Sequence, residues 1–429
     1  MTVRDRATEL RAVAAELRSD GRGGILAAVA GGWFLSIGVR MVYPAILPQL
    51  RATYGFDLTT AGLLVTALWL AYAIGQLPGG MLDDRLGGGR VLVASTAVSA
   101  TALSLVVLAG STVVLFGATV LFGLATSLYG VARFTILSSN FDDRAGTAIG
   151  ATMAAGDFGN ALLPPIAGVL AVTIAWEVGL GLAVPCFLLA AVGIQLVVPD
   201  DGRSDAVAAD GSGTAETGET TADAEPTDGI ATTARRLVAV LREPAVRRVA
   251  TIQLLGYCSW QGFTAFYPTY VVTETSIAQP TATALFGGFF GLGIVSKLAA
   301  GSAYDGYGIR RTLPVVLGVG AVAIVLLTAV EGLLAVAGVT ALASVILGYS
   351  TITLTALTGA FPDDVQGTGL GLLRTGYMLV GAGVPTVIGV FADADRFSEA
   401  FLLVAVVAAV AALLALRIPP SDPSPERAA

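Results

Sequence analysis

The sequence predicts an all-α membrane protein of twelve transmembrane helices, arranged as two pseudosymmetric six-helix bundles. Three observations carry this. The 429 residues are 55% hydrophobic and 13% charged, with a mean hydropathy of +0.79, which leaves too little polar surface to coat a soluble globule. Twelve apolar stretches come close to the length of about 20 residues that a spanning helix needs, six on either side of one polar segment. The two sets also repeat. Gly80, Asp84, Gly87 and Arg90 map onto Gly301, Asp305, Gly308 and Arg311 at one offset, 305 − 84 = 221 residues, and the same offset carries Asp142-Asp143 onto Asp363-Asp364, Gly146-Thr147 onto Gly367-Thr368, Pro164 onto Pro385 and Gly168 onto Gly389. A register held this long marks a duplicated unit.

Along the chain, residues 1–23 read as a cytoplasmic surface helix with spaced arginines and acids rather than a signal peptide. The first bundle, 24–198, holds spans at Gly24–Leu50, Thr60–Leu82, Val91–Ala109, Val113–Ser139, Thr147–Ile174 and Val178–Val198. A cytoplasmic linker, 199–245, follows. Its first part carries nine acidic residues against Arg203, a composition that cannot bury enough surface to fold, and it ends in a basic stretch with Arg235, Arg236 and Arg242. The second bundle, 246–417, holds spans at Val249–Val272, Ala282–Tyr304, Leu313–Val330, Leu333–Ala360, Gly367–Phe391 and Ala400–Leu416, and 418–429 form a cytoplasmic tail.

Charge sets orientation and excludes functions. Arginines collect in the loops on one side (Arg85, Arg90, Arg144, Arg310, Arg311, Arg417), whereas the opposite loops hold Arg51 and Arg396. The positive-inside bias therefore puts both termini and the linker in the cytoplasm of a cell-membrane protein. The net charge of −7 belongs to the linker, so no nucleic-acid surface is read. With no histidine, and with Cys186 and Cys258 inside apolar runs, no metal site, disulfide framework or other cofactor is expected. The single lysine, Lys297, lies between Ser296 and Leu298, so no phosphate-cradling loop exists to drive a primary pump.

The island Gly80-Met-Leu-Asp-Asp-Arg-Leu-Gly-Gly-Gly-Arg90 after the second span, its echo Gly301-Ser-Ala-Tyr-Asp-Gly-Tyr-Gly-Ile-Arg-Arg311 and the two like-oriented six-helix halves resemble the major facilitator superfamily of secondary transporters. Gly80, Leu82, Asp84, Arg85 and Gly87 match that family's signature, and Arg90 closes the run; in the echo Gly306 stands where an arginine follows the aspartate. The resemblance implies that Gly80, Asp84, Arg85, Gly87 and Arg90, with Gly301, Asp305, Gly308 and Arg311, gate the cytoplasmic side. It also implies that the first and fourth spans of each half line a central cavity while the third and sixth face lipid. Read without the family, the islands are solvated turns whose glycines permit a tight reversal.

Charges at membrane depth are costly and kept chiefly for use. At about 1.5 Å per residue, Arg40 lies roughly 24 Å from the cytoplasmic start of the first span, and Asp157 roughly 15 Å into the fifth. Arg133, Lys297 and Arg374 lie roughly 10 Å from their cytoplasmic ends by the same rise, where snorkelling to the headgroups competes with a cavity role. Trp33, Ser36, Arg40, Tyr43 and Leu47 share one face of the first span, and Gln253, Tyr257, Trp260, Thr264 and Tyr267 share one of the seventh, with Gln261 beside them. Substrate-binding candidates are therefore Arg40, Trp33, Tyr43, Tyr257, Trp260, Gln261 and Arg133. Tyr43 could instead belong to the interfacial aromatic belt. Asp157 is the sole acid at depth and the candidate proton carrier.

The expected function is transport of a small solute by alternating access, proton-coupled, with a tilt toward an organic anion because Arg40 can hold a carboxylate or phosphate bidentately. The alternative within the superfamily is a multidrug or metabolite exporter. A membrane sensor or membrane-embedded enzyme is disfavoured, since no folded sensor domain or cluster of nucleophiles and acids is readable. The expected partners are the lipid bilayer, a small-molecule substrate and a coupling proton, and a monomer is expected.

Overall fold

A computed structural model describes residues 22–141, 144–198, 239–240, 242–362 and 366–418. Residues 1–21 of the expected 1–23 surface helix, most of the 199–245 linker, Asp142-Asp143, Asp363-Asp364 and nearly all of the tail lie outside the described residues, while Arg22 and Gly23 open the first spanning helix. Every regular element among the described residues is a helix, and none is a strand. The first six spans are α1 (Arg22–Tyr54), a pair α2 and α3 (Leu58–Ile74, Gln76–Leu86), α4 (Gly88–Val107), α5 (Thr112–Asn140), α6 (Ala145–Thr173), and a pair α7 and α8 (Trp176–Gly181, Ala183–Val197). The second six are α9 (Pro244–Thr275), α10 (Gln279–Tyr307), α11 (Ile309–Leu327), then α12 (Leu333–Ala343) joined by a 3₁₀ turn (Ser344–Gly348) to α13 (Tyr349–Thr358), the pair α14 and α15 (Gln366–Ala382, Val384–Asp393), and α16 (Phe397–Ala415).

Among the described residues, ten spans are long and apolar enough to cross a membrane, and α2–α3, bent by 41° at Gly75, makes eleven. The twelfth is α9. At 32 residues it is long enough, and it misses the apolar count because Gln253, Ser259, Gln261, Thr264 and Thr269 interrupt it. A wholly lipid-facing helix could not carry those groups cheaply; here all five are buried.

Contacts divide the chain into two compact units, one of 1–213 with Tyr267–Gly291, the other of 214–266 with 292–429. Within the first unit α1 and α6 pack backbone to backbone. A Cβ at Gly38 would meet the Gly159 carbonyl at 2.7 Å, so glycine is what permits this approach. One apolar core gathers Tyr43, Leu50, Phe122 and Phe187, and a second, toward the island, gathers Ile25, Trp33, Tyr129 and Ile136. Within the same unit, the start of α10 meets the end of α1 through a reciprocal amide pair. Gln49 Nε2 donates to Gln279 Oε1 at 2.5 Å, while Gln279 Nε2 donates to Gln49 Oε1 at 2.7 Å and to the Ala45 carbonyl at 2.9 Å. In the second unit Arg248 donates to the Arg417 carbonyl at 3.0 Å, joining the start of α9 to the chain beyond α16.

The duplicated islands fold alike. Gly87 (φ 84°, ψ 146°) precedes α4, and Gly308 (φ 76°, ψ 168°) precedes α11. Only glycine occupies that region without strain, which costs other residues about 1–3 kcal/mol. Gly87→Ala should therefore destabilise the protein by about 1–3 kcal/mol, read as a lower thermal midpoint in detergent, and Gly308→Ala should do the same. The copies differ in anchorage. Asp83 is buried, and Thr135 Oγ1 of α5 donates to its Oδ2 at 2.5 Å, whereas Asp84, Arg85 and Arg90 are exposed. The 221-residue offset puts Tyr304 where the first copy has Asp83. Asp305 and Arg311 are exposed as well.

Candidate functional site

Residue spacing on α1 aligns Trp33, Ser36 and Arg40, and the helix packs this face inward. Arg40 is 1% exposed and Arg133, on α5, is 0% exposed. The Arg40 Nε donates to the Ser36 carbonyl at 3.0 Å, one turn back. Its guanidinium carbon lies 3.8 Å from the Tyr72 ring centroid, 4.9 Å from Trp69 and 5.7 Å from Trp33. That of Arg133 lies 3.6 Å from the Trp33 centroid and 4.2 Å from Phe134. Arg133 also donates to Met153 Sδ through both terminal nitrogens, at 3.6 and 3.5 Å. Each desolvated cation–ring contact contributes about 2 kcal/mol, which offsets part of the cost of burying the charge. Stacking engages the face of a guanidinium, and the N–H edge is the side whose geometry matches carboxylate and phosphate.

One indole therefore organises both cations. Trp33 stacks on Tyr129 with centroids 6.5 Å apart, and the Tyr129 hydroxyl donates to the Val29 carbonyl at 2.8 Å. The Nε1 edge of the indole meets α6 at Gly156. Asp157 is the next residue and is half-buried. It follows Met153 by four positions, so the carboxylate occupies the face of α6 that carries the sulfur engaged by Arg133. Asn160, 3% exposed, lies one turn further, and its Oδ1 has no hydrogen-bond partner among the described residues.

In the second unit α9 supplies an aromatic cluster. Tyr257 lies 5.5 Å from Trp260 and 4.9 Å from Tyr377 of α14, centroid to centroid. Gln261 is 1% exposed, and its Nε2 has no acceptor among the described residues. Thr353 of α13 donates to Gln253 Oε1 at 2.5 Å. Lys297 on α10 and Arg374 on α14 are half-buried.

The structure thus brings together Trp33, Arg40 and Arg133, with Asp157 on the adjoining face, and separately Tyr257, Trp260 and Gln261. Tyr43 joins neither cluster. It is fully buried in the apolar core, stacked on Phe122 at 6.2 Å and accepting from Thr119 Oγ1 at 3.3 Å.

A family model described as the Major Facilitator Superfamily matches residues 28–273 and 249–429, which is nearly the whole chain. The chain belongs to the major facilitator superfamily. It is a multi-pass membrane transporter and not an enzyme. No curated protein matches it. Solved structures show the same fold at low identity. A bacterial homologue of the human lysosomal transporter Spinster, inward-facing and unoccupied, superposes with a TM-score of 0.78 at 14% identity, covering 93% of this chain and 97% of its own. A D-xylose-proton symporter gives 0.73 at 13% identity, covering 92% and 98%. A mutant of the peptide transporter POT gives 0.70 at 15% identity, covering 92% and 93%.

Within this superfamily member Trp69, Tyr72, Tyr377 and Asn160 beside the clusters, and Asp83 of the island, were not marked by sequence reasoning. Trp69 and Tyr72, which flank Arg40, carry a detectable signal, since two large aromatics three apart in mid-span share a helix face. Asn160 was readable as a lone amide deep in the fifth span. Asp83, the buried acid of the island, was masked by Asp84, because the signature spacing selects the second of the two.

Proposed function

We propose that this superfamily member moves a small organic anion across the cell membrane by alternating access, coupled to protons. The observation that carries this reading is the pair of fully buried arginines held on the rings around Trp33. Two guanidinium groups around one indole repel each other, and a carboxylate or phosphate bound at their N–H edges relieves that repulsion while forming charge-assisted hydrogen bonds. Trp33, Tyr72 and Trp69 then act as the rigid frame that keeps both forks aimed. Asp157 carries the coupling proton, and a structural neighbour that is a D-xylose-proton symporter supports a proton as the driving ion. The islands at Gly80–Arg90 and Gly301–Arg311 gate the cytoplasmic side, where both termini also lie. The working unit is the monomer.

A second reading rests on the Tyr257–Trp260–Tyr377 cluster, whose apolar rings suit lipophilic drugs and would favour an exporter. A thermal-shift panel on the purified protein separates the two. Carboxylates and phosphates should raise the melting temperature while matched neutral and cationic analogues leave it unchanged. Stabilisation by assorted lipophilic cations instead would discard the anion reading in favour of export.

A further inference from the structure

The second unit contains a cavity of about 610 Å³ that neither binding cluster uses. It runs as a trough for about three turns along α10, from Leu292 to Ala303 and on to Tyr307, with α11 on one side and the end of α12 on the other. Its size lies within the range of about 300–1,000 Å³ typical of ligand sites. The walls are almost wholly aliphatic, from side chains such as Val295, Ala299, Val315 and Val345. Ser296 and Ser344 meet across it with their oxygens 3.4 Å apart, and each hydroxyl also bonds a carbonyl of its own segment. Such walls do not hold ordered water. Ala303, at the position where the first copy of the repeat has Leu82, keeps the floor of the trough open.

The end of the trough is different. There Arg311 and Thr312 line it at the first turn of α11. Thr312 is 7% exposed, and its Oγ1 has no hydrogen-bond partner among the described residues. The helix is capped by Gly308, which offers no side chain, and its first intrahelical bond here runs from the Thr312 amide to the Gly308 carbonyl at 3.2 Å. The amides before it are the first-turn donors that favour an anion. Arg310 adds a second exposed cation beside this turn. A buried hydroxyl, an arginine and a helix start at one end of a hydrocarbon trough match an amphiphile with an anionic head.

We propose that this trough binds an anionic phospholipid of the surrounding bilayer, its phosphate at Arg311, Thr312 and the start of α11, one acyl chain along α10. The flank is already turned to lipid: Val295 and Val315, at its rim, are 63% and 61% exposed. The arginine-rich end of the trough belongs to the headgroup level, where a membrane phosphate arrives with its chain already in hydrocarbon.

Native mass spectrometry of the full chain, released from micelles containing equal phosphatidylglycerol and phosphatidylcholine, tests this. The wild type should retain phosphatidylglycerol about fivefold or more over phosphatidylcholine, whose phosphate can make the same contacts but whose choline cation is repelled by Arg310 and Arg311. Ala303→Leu should remove most of the retained lipid, and Arg311→Gln should remove the preference for phosphatidylglycerol. Thr312→Val deletes only a hydroxyl and should lower phosphatidylglycerol retention about threefold or more, so it carries the test if Ala303→Leu fails to fold. Equal retention of the two lipids by the wild type would overturn the proposal. So would unchanged phosphatidylglycerol in the folded variants, or full displacement of it by equimolar oleate, which would make the trough a fatty-acid site.

Discussion

Arg40→Ala should lower the affinity for a transported anion by one to two orders of magnitude, about 1.5–3 kcal/mol for hydrogen bonds to a charged group. The size follows from the burial. Arg40 sits among Tyr72, Trp69 and Trp33, where water cannot replace a lost fork. Arg40→Lys should rescue only part of the loss, because an ammonium keeps the charge and loses the paired planar N–H groups. Arg133→Ala should act in the same direction. The double variant should lose less than the sum of the two, since both cations act on one anion. Direct binding by calorimetry measures these values. Anion affinity that survives in both single variants would remove the Trp33 cluster from substrate recognition.

Asp157→Asn should abolish accumulation driven by an imposed pH gradient in proteoliposomes and leave counterflow exchange at least partly intact. The amide matches the carboxylate in shape and cannot take up a proton, so the variant separates coupling from passage. The placement of Asp157, beside Gly156 at the Trp33 edge and on the Met153 face, gives the carboxylate a route to influence Arg133. Full proton-driven uptake by the variant would move the coupling role to another group, and loss of exchange as well as accumulation would make Asp157 part of the passage itself.

The architecture was legible because duplication and hydropathy are properties of the chain alone. The offset joining Asp84 to Asp305 returns in space as matching backbone at Gly87 and Gly308. The spans were legible wherever apolar residues dominate. The seventh, α9, was read as one of the twelve apolar stretches, yet its polar face takes it below the apolar count that ten other spans pass. Breaks such as the bend at Gly75 depend on how α2 and α3 meet α5, where Gly75 abuts Ser127, and periodicity does not encode that. The candidate clusters were half legible. Spacing on α1 put Trp33, Ser36 and Arg40 together, but the same spacing enlisted Tyr43, which Phe122 and Thr119 claim for the core. Periodicity defines a face, and only the neighbouring helices decide what each turn of that face meets. Trp69 and Tyr72 entered through such neighbours.

The glutamine clasp between α1 and α10 has a consequence for where the protein can work. Two primary amides and one carbonyl make it, and none of these titrates in water. An ion-pair latch weakens as counterions accumulate, whereas amide-to-amide bonds carry no net charge for salt to screen. Opening this join should demand similar work in brine and in dilute buffer, at acid pH and at neutral pH.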